Sequence, residues 1–270
     1  MIRKSVWAGA GKFYPDNPDT LNKYLGSVVS RAGKEKTDAK AVIMPHAGYV
    51  YSGAVAGKTI SQVNVYDTVI ILGPNHTGFG NPYSLMASGT WKTPLGEVNI
   101  AEELAGFLLR NSELIKNDEL PHLQEHSIEV EVPFLQYLNK NISIVPLIIG
   151  DYISRNFESV ADDIARAVVN YKKPVLIVAS SDMTHYEPLE SAKSKDKAAI
   201  EAILEMNPQK LLARIREHNI TMCGFAPVAV ALYAAKKLGA QQARLVDYQT
   251  SGDTTGDYSS VVGYAGMVIF

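Results

Sequence analysis

Short runs of Val and Ile alternate along the chain with longer stretches of helical period, a pattern that predicts strands feeding helices in an α/β sheet. The strands are predicted at 40–45, 67–73, 142–149 and 174–180. They are rich in Val and Ile and too short for helices, so they read as buried, mainly parallel strands. Helices are predicted near 18–31, 53–63, 100–110, 125–139, 154–170, 189–206, 208–218 and 224–238. Asn207 and Pro208 open the seventh, since Asn caps and Pro suits the first helical position. Toward the end of the chain, 243–250 and 259–270 alternate like strands across a Gly- and Asp-rich connection at 251–257, which predicts a closing pair. The segment 76–99, with its glycines, prolines and Trp91, is too irregular for a βα unit and reads as loops or a hairpin near a site. No repeat or linker divides the chain, so one domain over 1–270 is expected, with a largely parallel central sheet flanked by helices.

Composition narrows the function. The chain carries 26 basic and 28 acidic residues, a net charge of −2. Neither a polybasic surface nor an acidic tail is present, which argues against nucleic acid as a partner. No apolar run reaches the roughly 18 residues that span a bilayer. No apolar stretch follows the basic start, so a secretory signal is not supported and the cytoplasm is the expected compartment. The single cysteine, Cys223, excludes an intramolecular disulfide and a four-cysteine zinc site, and fits a reducing compartment.

Ligands in open α/β sheets collect beyond the carboxyl ends of the strands. His46 follows the strand at 40–45, and His76 follows the strand at 67–73. Asp182 and His185 follow the strand at 174–180. Three strands thus deliver histidines to one edge. Cys223 precedes Gly224 at the start of the helix near 224–238, where the helix dipole favours a thiolate, although a lone cysteine also packs readily as a small apolar group. Two imidazoles and a thiolate would suit Fe(II), Cu or Zn with a position left open for substrate.

His122, Glu125 and His126 match the short H-x-x-E-H pattern of a class of zinc peptidases, which requires both histidines on one helical face. The apolar helical face begins only at Ile128, Val132 and Leu135, which places His122 before the helix. Glu125, His126 and Ser127 therefore read as a helix entrance facing the cleft, with Glu129 and Glu131 solvated or capping. Gly9 and Gly11 lack the third glycine of a dinucleotide fingerprint, and Gly73 to Gly78 is not followed by Lys-Ser/Thr, so a nucleotide cofactor is not supported. Ser180 and Ser181 lie outside any G-x-S-x-G elbow. Phe13, Tyr14, Tyr49 and Tyr51 either line a pocket or pack the loops. His218, at a helix end, reads as a solvated terminus.

Seven motifs then fall in one order: Ala10 to Pro15, Pro45 to Gly53, Gly73 to His76, Glu125 to Glu129, Ser180 to Tyr186, Cys223-Gly224 and Ser251 to Tyr258. In these the chain resembles, end to end, the Memo family, whose microbial members occur in the AmmeMemoRadiSam system. The resemblance implies a fold like that of class III extradiol dioxygenases. It also implies His46, His76 and Cys223 as metal ligands, His185 as the acid/base histidine, and Asp182 and His126 as further cleft positions. Those dioxygenases use a glutamate where this chain has Cys223, so ring cleavage itself is not carried over. A functional link to a separate radical SAM protein is implied as well. The expectation is a redox metalloprotein using Fe(II) or Cu on a small molecule or dioxygen, with Zn also fitting and with His185 oriented by Asp182. Its rivals are a non-catalytic peptide- or phosphopeptide-binding module using the same cleft, and the zinc peptidase of His122, Glu125 and His126.

Overall fold

The computed structural model describes residues 1–9, 11–30 and 36–270. Ala10, which heads the first motif, and Arg31, at the end of the first predicted helix, lie outside them. The strands are β1 (Ile2–Lys4), β2 (Ala41–Met44), β3 (Thr68–Pro74), β4 (Tyr83–Leu85), β5 (Thr90–Thr93), β6 (Gly96–Ile100), β7 (Lys116–Asn117), β8 (Ser143–Ile149), β9 (Val175–Ser180), β10 (Ala243–Thr250) and β11 (Gly263–Ile269). The helices are α1 (Pro18–Val28), α2 (Tyr49–Ile60), α3 (Glu102–Asn111), α4 (Val132–Leu138), α5 (Phe157–Tyr171), α6 (Leu189–Leu204), α7 (Pro208–Glu217), α8 (Phe225–Lys237) and the single turn α9 (Gly252–Thr255).

All of these strands join one sheet, ordered β1-β5-β6-β8-β3-β9-β2-β11-β10, with β4 against β8 and β7 beyond β4. The centre is parallel: β8 pairs β3, β3 pairs β9 and β9 pairs β2. The closing pair runs antiparallel, β11 against both β2 and β10. The result is the expected single-domain α/β fold with a largely parallel central sheet. β2, β3 and β9 are buried along their whole length, which is why they carry apolar residues without alternation. Each fully buried Val, Ile or Leu there contributes roughly 1.5–3 kcal/mol of apolar burial. α8 packs on β2, β3 and β9 and against α5, while α2 packs on β2, β10 and β11 with α1 and α4 beside it. Among the described residues no helix is long and apolar enough to cross a membrane.

Three expectations need correction. Residues 125–139 are not one helix: a 3-10 turn at Glu129–Glu131 leads into α4, which starts only at Val132. Pro133, near the start of α4, suits the beginning of a helix and not its interior. The irregular segment 76–99 does form a hairpin, β5–β6, but not near the site: only His76 lines the cleft, and β4 and the hairpin extend the sheet toward its β1 edge. Glu129 and Glu131 are fully buried, neither solvated nor free to cap.

Glu129 is buried because it ties the start of the chain down. Its carboxylate pairs with Arg3 at 2.8 Å and accepts from Val6 N, Trp7 N and the Tyr14 hydroxyl. The Arg3 guanidinium lies 4.0 Å over the Trp91 ring and donates to the carbonyls of His122 and Glu125. A charge buried this deeply is tolerated only when paired and hydrogen-bonded, as both partners are here.

Candidate metal centre

The order β3-β9-β2 brings three carboxyl ends side by side, with Met44 in register with Ser180 and Leu72 with Ala179. His46, His76 and Asp182 each stand two residues beyond these strands and meet at one crevice. Two close approaches complete it. A Cβ on Gly73 would lie 2.6 Å from Ser127 Oγ and Ile128 Cγ1, so glycine lets the 125–128 segment cross the end of β3. A Cβ on Gly224 would collide with the Ser180 carbonyl and Ser181, so glycine lets the start of α8 abut β9 and sets Cys223 beside His46.

His46, 2% exposed, places Nε2 3.2 Å from Cys223 Sγ. Its Nδ1 lies 2.7 Å from Ser180 Oγ, and its backbone N–H donates to Asp182 Oδ1 at 2.8 Å. The backbone N–H of His76 donates to Glu125 Oε2 at 2.6 Å, and its ring Nδ1 lies 2.8 Å from Glu125 Oε1. One ligand atom from each of His46, His76 and Cys223 lies within 4.8 Å of the other two. With both Nδ1 atoms engaged, each imidazole keeps Nε2 for a metal, held in place as metal-bound histidines are held by their outer partners. His76, Glu125 and His126 form a second such group that shares His76. In it Glu125 Oε1 already accepts from His76 and from the His126 and Ser127 backbone N–H groups.

Burial sets the charges. It drives His46 well below the usual imidazole range, aided by His76, so the ring is neutral and able to ligate. His126 falls to about 3 through burial and the neighbouring His46. Burial alone would raise Glu125, but the His76 ring hydrogen bond and the surrounding imidazoles hold it at about 2, a carboxylate. Burial and then Asp182 push the Cys223 thiol up, so the helix start does not make a free thiolate, and a cation is needed to take its proton's place.

His126 faces the cleft, its ring stacked 4.5 Å from His76 and 4.5 Å from Phe13. Asp182 does not orient His185. The His185 Nδ1 lies 2.8 Å from the Met183 carbonyl and 3.0 Å from that of Thr221, so it carries the proton and leaves Nε2 as an acceptor. His122 turns away: its Nε2 lies 3.0 Å from the Ser84 carbonyl, its ring stands edge-on to Trp91, and it belongs to a 3-10 turn. It shares no helical face with His126, so the peptidase geometry does not form. Of the four aromatic loop residues, Phe13 and Tyr51 line the cleft, whereas Tyr14 and Tyr49 are buried and stacked on each other. His218 is exposed at the end of α7, as expected.

The cleft measures about 700 Å³. Tyr186, Asp257, Ser260 and Tyr264 also line it; Tyr186 and Asp257 fall within two of the seven motifs, whereas no periodic pattern marks Ser260 or Tyr264. Tyr186 is 78% exposed with φ at +58°, a left-handed conformation that a bulky residue rarely adopts.

The profile of a family described as Memo-like protein matches residues 6–268. A MEMO1 family protein of Aquifex aeolicus is 42% identical over 266 residues, covering 97% of each chain. One of Sulfurisphaera tokodaii is 44% identical over 280 residues, covering 98% of each. In fold, the chain is similar to the uncharacterized protein JW3007 of Escherichia coli K12, with a TM-score of 0.59 at 13% identity, covering 84% of this chain and 98% of that one. With a profile match from end to end and relatives above 40% identity at nearly full coverage, the chain belongs to the Memo family.

Proposed function

We propose that the protein binds one redox-active metal, Fe(II) or Cu, through His46, His76 and Cys223 and acts on a small molecule or on dioxygen. The observation that carries this reading is the convergence of two imidazoles and a thiol within 4.8 Å, with both imidazoles lining an open cleft. Zn also suits two imidazoles and a thiolate, and the metal content decides among the three. When bound, the metal supplies electron transfer and a position open to substrate.

The chain's own groups do the rest. Glu125 and Ser180 aim the two imidazoles. His185 presents Nε2 at the cleft wall as the group that takes a substrate proton, since its Nδ1–H is committed to carbonyl oxygens. The cleft volume suits a small molecule. Among the described residues no Lys or Arg lines it, so a phosphorylated peptide would find no cationic partner there, which favours the small-molecule reading over the peptide-binding one. The unoxidised Cys223 on which this depends fits the cytoplasm.

The test is elemental analysis of protein purified without oxygen and reconstituted with Fe(II), Cu(I) or Zn, with Cys223→Ser and His185→Ala alongside. Near-stoichiometric iron or copper that vanishes in Cys223→Ser and persists in His185→Ala is the expected result. Metal that ignores Cys223, or equal loss in both variants, would sink the assignment.

A further inference from the structure

Ser180 has one hydroxyl proton and three polar neighbours. Its Oγ lies 2.6 Å from the Ser127 carbonyl, 2.7 Å from His46 Nδ1 and 3.0 Å from Glu131 Oε1. A carbonyl can only accept, so the shortest oxygen contact takes the Ser180 proton; otherwise two lone-pair oxygens would abut. With its only proton spent, Ser180 Oγ is an acceptor toward both remaining neighbours. His46 Nδ1 must therefore carry hydrogen, and so must Glu131 Oε1.

A second observation agrees independently. Glu131 is fully buried, and its other oxygen, Oε2, has no hydrogen-bond partner. No cation pairs with it among the described residues, and the charged side chain that bears on it is another acid, Asp182. An unpartnered carbonyl oxygen of a neutral acid costs on the order of 1–3 kcal/mol, whereas an unpaired buried carboxylate costs far more. Burial acts in the same direction, raising the Glu131 carboxyl well above its usual range.

We propose that Glu131 is a neutral carboxylic acid that donates to Ser180 Oγ and thereby holds His46 as the Nδ1–H tautomer, with Nε2 directed to the metal side. Glu131 is a positioning residue, and its role deepens the metal-centre reading of His46. It makes the two histidines unlike: His76 is backed by a carboxylate, His46 by a hydroxyl that already accepts from an acid. By keeping the Ser180 proton on the Ser127 carbonyl, Glu131 also fixes the segment whose Ser127 N–H binds Glu125.

The test uses metal-free and metal-loaded protein at neutral pH. In the infrared spectrum of the metal-free parent, the C=O stretch of a protonated, weakly hydrogen-bonded carboxylic acid is expected. It should shift on carbon-13 labelling of glutamate and disappear in Glu131→Gln. The labelling experiment needs no variant to fold, and Asp182 does not respond to it. Absence of a glutamate-derived acid band overturns the proposal.

Nitrogen-15 spectra of the His46 ring should show Nδ1–H in the parent and in Glu131→Gln, whose amide still donates. In Glu131→Met, which has no donor, the tautomers should mix. Competition with a chelator for Co(II) should leave Glu131→Gln within about threefold of the parent, whereas Glu131→Met falls roughly 10- to 100-fold. Equal loss in the Gln and Met variants would mean that the site needs a carboxylate, which also overturns the proposal. A parent that binds no metal would remove the metal-centre reading, while the infrared and nitrogen-15 results would still decide the proton positions.

Discussion

Glu125 grips His76 twice: one carboxylate oxygen accepts from the His76 backbone N–H at 2.6 Å and the other meets its ring Nδ1 at 2.8 Å. The same carboxylate takes the His126 and Ser127 backbone N–H groups, so one buried anion orders a histidine and the loop crossing the end of β3. Glu125→Gln is nearly isosteric but replaces one accepting oxygen by a donating NH2, which must then face a donor. Metal affinity in this variant is expected to drop roughly 10- to 100-fold with the far-ultraviolet circular dichroism unchanged. Chelator competition measures it, and a change under twofold would mean that packing alone orients His76.

Gly224 makes a prediction of a different kind, because its lack of a side chain sets how closely α8 approaches β9. Gly224→Ala forces a Cβ into the Ser180 carbonyl and Ser181, and the backbone must back away. Overpacking of this sort costs about 1–3 kcal/mol. The displacement should also carry Cys223 away from His46, so cysteine-dependent metal binding falls along with the denaturation midpoint. A variant that loses stability but keeps the parent's metal affinity would show that Cys223 is placed by something other than this contact.

The strands β2, β3, β8 and β9 were legible because burial on both faces forces an unbroken apolar run, and the candidate residues His46, His76, Asp182 and His185 were legible because each follows such a run within a few residues. The short edge strands were not: β1 spans three residues and β7 two, and their pairing depends on distant partners. The supporting residues stayed hidden for the same reason. Glu125 acts on a histidine 49 positions away, and Glu131 meets Ser180 across the same separation, so no local period marks either as buried. Sequence alone made Glu129 and Glu131 surface residues, since acids are rarely buried without a partner, and the partners Arg3 and Ser180 become visible only in the fold.

Arg3 and Glu129 offer a test of what their buried pairing contributes. Arg3→Met leaves the Glu129 carboxylate without its cation, and breaking a buried pair in this way costs about 3–5 kcal/mol. The double variant Arg3→Met, Glu129→Gln removes both charges, and its denaturation midpoint should recover part of the loss. Urea unfolding of the four proteins in the cycle gives the coupling. Additive effects would show that Arg3 acts through Trp91 and the two backbone carbonyls, independently of Glu129.

His122 supplies the pH prediction, away from the cleft. Burial lowers its pKa to about 3, against the ordinary histidine value of 6.5 that holds in the unfolded chain. The folded state therefore holds the ring neutral while the unfolded state gains a proton as the pH falls below that value. The sign follows: the contribution is fully present above pH 6.5 and is lost progressively as the pH falls toward about 3. Between these limits one proton is taken up on unfolding, a slope of about 1.4 kcal/mol per pH unit from this residue. His126 and His46, lowered by burial as well, act in the same sense, whereas Glu131, raised by burial, gives up a proton on unfolding and opposes them, so the test rests on the difference between the variant and its parent. In His122→Gln, whose amide can still donate to the Ser84 carbonyl, the slope between pH 6 and pH 4 should fall by about one proton. Urea unfolding across that range measures it, and an unchanged slope would mean that the His122 ring is already charged inside the fold.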